Sequence, residues 1–258
     1  MTDFLRRLFF VRKCILCGEV LAGEGDAVFC EKCRLEYEKR GRIPCGVCGK
    51  KQTQCRCMPE VCRGAVTCAV HLFEYDDEIS RRVVSLLKKK DLRVLQDFLV
   101  RELSAAVKGV IGTRLSRFSV TFAPRAPKSI RVYGFDQAQL LCEGISSTLG
   151  IPMTELFCHA RRLGEQKLLS SDKRAENAEK SYALRRGWTR KSEGLILVDD
   201  VITTGSTAAR LARLAREAGY SEIVVATVAR TPYRKNEQKV RNENAAPEKK
   251  PEKQADEL

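Results

Sequence analysis

The stretch Leu195-Ile196-Leu197-Val198-Asp199-Asp200-Val201-Ile202-Thr203-Thr204-Gly205-Ser206-Thr207 constrains this chain more than any other. Leu195 to Val198 are consecutive apolar residues, long enough for a strand buried on both faces of a parallel sheet. Asp199 and Asp200 follow, and are expected at the carboxyl edge, where open α/β sheets bind ligands. Thr203, Thr204, Ser206 and Thr207 offer hydroxyls, and Gly205 permits close backbone approach. The Ala-rich segment from Ala208 to Ala218, with leucines at helical spacing, predicts a helix whose N-terminus points at the loop. Unpaired N–H groups and the positive dipole end favour an anion there. A carboxylate pair beside an anion cradle suits a sugar phosphate: the acids accept hydrogen bonds from ribose hydroxyls while the loop holds the 5′-phosphate. The competing reading is a buried strand with an Asp-capped turn.

Taken as one pattern, the stretch resembles the PRPP-binding signature of type I phosphoribosyltransferases. Two rival phosphate motifs fail. No Gly-x-x-x-x-Gly-Lys-Ser/Thr run occurs, and Gly23-Glu24-Gly25 lies in a short connector between cysteine pairs, where a turn is the better reading.

Two cysteine clusters are the second constraint. Cys14-x-x-Cys17 and Cys30-x-x-Cys33 bracket a twelve-residue connector, the spacing of a four-thiolate zinc site built from two knuckles. A segment this short and polar is poorly suited to fold on apolar burial alone, and four protein ligands make such a zinc structural rather than catalytic. The second cluster is Cys45-x-x-Cys48 followed by Cys55-x-Cys57, with Cys62 close behind. A second zinc held by Cys45, Cys48, Cys55 and Cys57 is expected, Pro59 and Glu60 reading as the exit from the knuckle; Cys62 could replace Cys55 or Cys57. Cys68, Cys142 and Cys158 stand singly and read as inert buried thiols.

Charge and length bound the remainder. At 258 residues the chain can bury one core and carry a small accessory module. The 47 Lys and Arg against 33 Asp and Glu give +14, a field that attracts polyanions: nucleic acid, phosphorylated metabolites or an anionic membrane. From Arg234 onward seven basic residues face six acidic ones with almost nothing to bury, so the basic character belongs to residues 1–233 and the tail reads as disordered. No apolar run approaches the roughly 18 residues needed to span a bilayer. Met1 to Lys13 interleaves Phe4, Leu5, Leu8, Phe9, Phe10 and Val11 with basic residues, without the apolar centre of a secretory signal. It reads as an amphipathic helix, docked on the body or lying on a membrane surface. Paired cysteines without a secretory signal point to metal in a reducing cytoplasm rather than to disulfides. The expected location is cytoplasmic, with a peripheral position on the inner membrane face as an option.

The body falls into place around these signals. Ala65 to Tyr75 alternates as a strand ending at Tyr75-Asp76-Asp77. Ile79, Val83, Leu86 and Leu87 recur at helical spacing up to Lys88-Lys89-Lys90-Asp91, and a further helix runs from about Leu92 to Val107. The three lysines read either as a solvated helix end or as a cationic loop meeting pyrophosphate. Phe118 to Pro124 predicts a second central strand that brings Arg125 to the same sheet edge. Gly134-Phe135 opens a helix through Leu140, Leu141, Ile145 and Leu149. Arg161 to Arg186, with Gln166, Arg174 and Asn177, is a solvated helix and loop or a lid over the site. Ser221 to Ala229 predicts another buried strand.

With the cysteine module, the Gly-Phe turn and Asp-Asp-x-x-Thr-Thr-Gly-Ser-Thr in one order, the chain resembles the ComF family of bacteria from about Leu5 to Arg230. The resemblance implies an α/β fold: a type I phosphoribosyltransferase-like parallel sheet flanked by helices (64–233), a zinc-binding module (1–63) and a tail (234–258). It implies that Asp199 and Asp200 hold ribose hydroxyls, that Val201 to Thr207 hold the 5′-phosphate with Lys88, Lys89 and Arg125 as phosphate cations, and that Mg²⁺ accompanies PRPP. Two departures stand out. Family members usually carry Arg-Gly-Phe-Asn-Gln-Ala, where this chain has Tyr133-Gly134-Phe135-Asp136-Gln137-Ala138. A cation is lost and an anion gained near the expected phosphate, and Arg125 is placed to restore the charge. In biological terms the resemblance implies natural competence, with single-stranded DNA and competence-machinery proteins as partners; a metabolic phosphoribosyltransferase acting on a base or amine is the alternative.

Overall fold

The computed structural model describes residues 12–21, 27–42, 45, 48–76, 78–160 and 181–232. The expectations for the amphipathic start, for Gly23-Glu24-Gly25, for most of the lid stretch with Gln166, Arg174 and Asn177, and for the tail lie outside the described residues. The elements in chain order are α1 (Glu31–Arg42), β1 (Cys68–Glu74), α2 (Glu78–Lys89), α3 (Arg93–Ile111), β2 (Phe118–Phe122), α4 (Pro127–Tyr133), α5 (Gln137–Leu149), β3 (Phe157–His159), β4 (Tyr182–Leu184), β5 (Gly194–Ile202), α6 (Ser206–Glu217) and β6 (Glu222–Arg230).

Four strands form one parallel sheet in the order β1-β6-β5-β2. The central strands read as unbroken apolar runs because both faces are covered. Successive side chains of a strand point to opposite faces, and two separate cores result. Ile196, Val198, Val224 and Ala226 pack beneath α2, α3 and α5 with Leu87, Leu99, Leu103 and Leu141. Leu195, Leu197, Ile223 and Val225 pack against α6 through Ala209, Leu211 and Ala212. α3 and α5 approach so closely that a Cβ on Gly144 would sit 2.5 Å from a methyl of Val100. No described helix is long and apolar enough to cross a membrane.

β5 extends further than the apolar run suggests. It continues through both aspartates to Ile202, because β6 accompanies it: Asp199 pairs with Thr227, Val201 with Ala229 and Ile202 with Arg230. On the other side β2 stops at Phe122, opposite Val198. The carboxylates are therefore inside the strand relative to β6 and beyond the sheet edge relative to β2. A second, two-stranded antiparallel sheet pairs β3 with β4, and β4 lies within the Arg161 to Arg186 stretch read as a solvated helix and loop or a lid. Three residues per strand are too few to register in a period-two pattern.

The N-terminal cysteine region shares the larger core. Phe29 and Tyr37 stack at 5.3 Å between centroids, and both meet Phe98 of α3 edge-on, while Tyr37 also meets Phe73 of β1. Aromatic burial therefore adds to whatever metal contributes there.

Candidate functional site

Three segments far apart in sequence meet at the carboxyl edge of the sheet. From β5 come Asp199, partly buried, and Asp200, only 6% exposed. The Asp200 carboxylate accepts from the side-chain amide of Gln137 at 2.6 Å and lies 3.4 Å from Lys88 Nζ at the end of α2. The Asp200 N–H donates to the Asp199 carboxylate at 2.8 Å. Burial, with the neighbouring Asp200 charge second, pushes the Asp199 carboxyl well above its ordinary range; the Asp200 N–H and Lys88 pull the other way.

The loop after β5 has the shape of an anion cradle. Gly205 takes a left-handed φ of +82° and caps α6, whose first residues are Ser206 and Thr207. Asp199, Val201, Ile202 and Thr203 to Ala208 line one small concavity. The Thr204 and Ser206 hydroxyls lie 3.0 Å apart. The helix N-terminus lends its free N–H groups and dipole to this hollow.

Lys88 thus joins the carboxylates, while Lys89 and Lys90 are exposed on the rim. Arg125 is placed differently from a free phosphate cation. Its guanidinium donates to the carbonyls of Lys88 (3.1 Å) and Phe135 (3.2 Å) and lies 4.4 Å from the centre of the Tyr133 ring. Arg125 therefore braces the cationic end of α2 against the Gly-Phe turn. Tyr133, standing where the family resemblance expects arginine, receives this cation on its face.

Asp136 acts as a clamp. It is the N-cap of α5, one carboxylate oxygen accepting from the N–H groups of Ala138 and Gln139 and the other from Arg125 N–H at 2.6 Å. Asparagine offers only one acceptor oxygen, so the aspartate can tie both the helix start and the β2 exit. Burial raises its carboxyl despite these donors and Arg125.

Sequence reasoning passed over three further residues. Gln137 holds Asp200, and its position directly before the apolar face of a capped helix was the available signal. Tyr182 of β4 hydrogen-bonds Thr207, and burial, with Asp199 second, pushes its hydroxyl up to about 12. Its ring lies 4.7 Å from that of His159, whose Nε2 is 2.9 Å from the Pro124 carbonyl. Arg230, at the end of β6, is 1% exposed. Nothing in local sequence marks either of the last two, because their partners come from other segments. Burial pushes His71 of β1 down to about 3, leaving it neutral.

The cysteines converge into two groups, Cys14 with Cys17, Cys30 and Cys33, and Cys45 with Cys48, Cys55 and Cys57, each with all sulfurs within 4.8 Å of one another. Tetrahedral ligation with Zn–S near 2.3 Å puts sulfurs about 3.8 Å apart, and the Cys17–Cys30 and Cys48–Cys55 separations are both 3.6 Å. Both groups are compatible with structural zinc. Cys62 stands outside the second: burial pushes its thiol up to about 11, and it donates to the Gly205 carbonyl at 3.5 Å. Buried Cys142 and half-buried Cys68 and Cys158 are outside both groups.

No family model matches the sequence. The chain is 24% identical over 233 residues to competence protein ComFC of Streptococcus pneumoniae, covering 84% of this chain and all of that protein. It is 35% identical over 102 residues to competence protein F of Haemophilus influenzae, covering 38% of this chain and 43% of that protein. Among solved structures, orotate phosphoribosyltransferase from Aeropyrum pernix aligns at 17% identity and a TM-score of 0.33, over 60% of this chain and 78% of that one. A relative matched from end to end at 24% identity, two four-cysteine groups and a parallel sheet whose edge bears the Asp-Asp and Thr-Thr-Gly-Ser-Thr signature together make the chain similar to competence protein ComFC.

Proposed function

We propose that this protein serves DNA uptake or DNA utilisation by holding a phosphorylated sugar of the PRPP type at its sheet edge, and that its cationic rim binds single-stranded DNA. The observation that supports this best is that Lys88, from a distant segment, lies 3.4 Å from the Asp200 carboxylate next to the hollow lined by Asp199 and the Thr203 to Thr207 loop. In the proposed complex Asp199 and Asp200 accept hydrogen bonds from the ribose hydroxyls. The N-terminus of α6 receives the 5′-phosphate, and Lys88 neutralises the pyrophosphate. Oxygen donors of this kind suit Mg²⁺, which would supply further neutralisation of the pyrophosphate. Should ribosyl transfer occur, the same carboxylates stabilise the positive charge that develops on the sugar. The two histidines are a neutral buried side chain and a ring held to a backbone carbonyl, so neither is placed as a general base.

Calorimetry with ribose 5-phosphate and with PRPP in the presence of Mg²⁺ tests the pocket. Asp199→Asn with Asp200→Asn should abolish binding while zinc content and circular dichroism stay unchanged; retained affinity would show that the motif no longer holds the sugar. The DNA arm is read from salt. Affinity for a single strand should fall steeply, with a slope of about −0.7 per neutralised phosphate, and replacing Lys88, Lys89 and Lys90 by Ala should flatten that slope. Absence of DNA binding at low salt, together with consumption of PRPP in the presence of a base or amine, would make the protein a metabolic transferase instead.

A further inference from the structure

Arg230 is among the largest fully buried side chains of the molecule, and the sugar-phosphate reading gives it no role. Its guanidinium donates to Cys45 Sγ and Cys55 Sγ, both at 3.4 Å, to the Cys57 carbonyl at 3.1 Å and to Glu74 of β1 at 2.8 Å. Four thiolates around a divalent zinc carry a net charge of about 2−, which is costly to bury without a cation beside it. Arg230 supplies that cation at two of the four sulfurs, and Glu74 fixes the fork. The residue also belongs to the site's framework: Arg230 pairs with Ile202 of β5 and Glu74 of β1, and the next N–H, of Thr231, donates to the Ile202 carbonyl at 2.8 Å. Ile202 is the residue directly before the hydroxyl loop.

A second contact comes from the exit of the same cysteine group. Pro59 and Cys62 lie so close to the loop that a Cβ on Gly205 would sit 2.9 Å from the Pro59 ring and from Cys62 Sγ. The Cys62 thiol donates to the Gly205 carbonyl. The cysteine group therefore touches the loop from two directions, through Arg230 at its base and through Pro59 and Cys62 at its tip.

We propose that Arg230 is a positioning residue that joins the second four-cysteine centre to the sheet edge, so that zinc held by Cys45, Cys48, Cys55 and Cys57 fixes the Thr203 to Thr207 loop. Zinc loading at this centre then governs whether the anion cradle is formed, whereas the centre of Cys14, Cys17, Cys30 and Cys33 does not.

The test uses the zinc-loaded full chain with two readouts, zinc release to a chromophoric chelator and hydrogen exchange of the 203–208 amides. Arg230→Met should lower the affinity for one zinc about 10- to 100-fold, the range by which loss of a ligand's partner weakens metal binding, read as faster release to the chelator, and should speed exchange in 203–208. Arg230→Lys should recover part of both effects. Cys17→Ser should lose zinc from the first centre and leave exchange in 203–208 at the wild-type rate. A folded Arg230→Met protein with wild-type release and wild-type exchange would overturn the proposal. Stepwise chelation of the unaltered protein answers the same question should that variant fail to fold: emptying the second centre without loosening 203–208 also overturns it. Neither readout involves a sugar phosphate, so failure of the ligand reading and failure of this one remain separate results.

Discussion

Asp199 concentrates the conflict between stability and ligand binding. Its carboxyl is raised mainly by burial and then by the charge of Asp200. A carboxyl with a raised folded value binds its proton more tightly in the native state than in the unfolded one. Its stabilising contribution is therefore complete at acid pH, below the ordinary carboxylate value, and is lost as pH rises through the raised value. Asp199→Asn should accordingly raise the thermal midpoint at neutral pH, reduce its decline with rising pH, and lose ribose 5-phosphate binding. Melting curves across the acid-to-neutral range, paired with calorimetry, check this. A midpoint lowered at neutral pH would mean that the carboxylate is held by partners that outweigh its burial.

At the scale of elements, the site depends on where strands and helices end. β5 outlasts β2 but not β6, which leaves the carboxylates open on one flank and supported on the other. The α6 N-terminus follows Gly205, whose left-handed backbone would cost an ordinary side chain about 1–2 kcal/mol. The contacts with Pro59 and Cys62 add a steric penalty to that. Gly205→Ala should thus destabilise the protein by more than the backbone term and weaken phosphate binding. Urea denaturation and phosphate titration of the variant measure both, and a neutral result would show that the loop can shift away from the cysteine region without cost.

For the whole molecule, aromatic burial and two cysteine groups compatible with structural zinc come together in the N-terminal region. Phe29 and Tyr37 pack on Phe98 and Phe73, while two groups of four sulfurs sit at zinc-like separations. Removal of metal should therefore loosen this region without dismantling the sheet, whose two cores lie under different helices. Limited proteolysis with and without chelator should show early cleavage within residues 12–63 and a persistent fragment from the sheet. Metal analysis of the untreated chain should give two zinc per molecule. A chelated chain as resistant as the untreated one would remove metal from the account of this region.

Features that depend on near neighbours are legible along the chain. Leu195 to Val198 had to be a buried strand, the Gly205 turn had to lead into a helix, and C-x-x-C spacing had to bring sulfurs together in pairs, because each rests on local periodicity, backbone freedom or loop length. Cys57 rather than Cys62 joining the second sulfur group was settled only by the fold, since several pairings satisfy the same spacing. The same holds for Asp136, which looked like an anion beside the phosphate and is an N-cap that also binds the Arg125 N–H. Arg125 looked like a free phosphate cation and is spent on two carbonyls and an aromatic ring. Tyr182 and Arg230 carry no local signal, for their partners Thr207 and Cys45 lie 25 and 185 residues away in the chain; Gln137 is marked only by its place at a helix start, and its partner Asp200 lies 63 residues on. Short-range chemistry can be read along a sequence. Where a buried charge finds its counter-charge is decided by the order in which strands assemble, and that exists only in three dimensions.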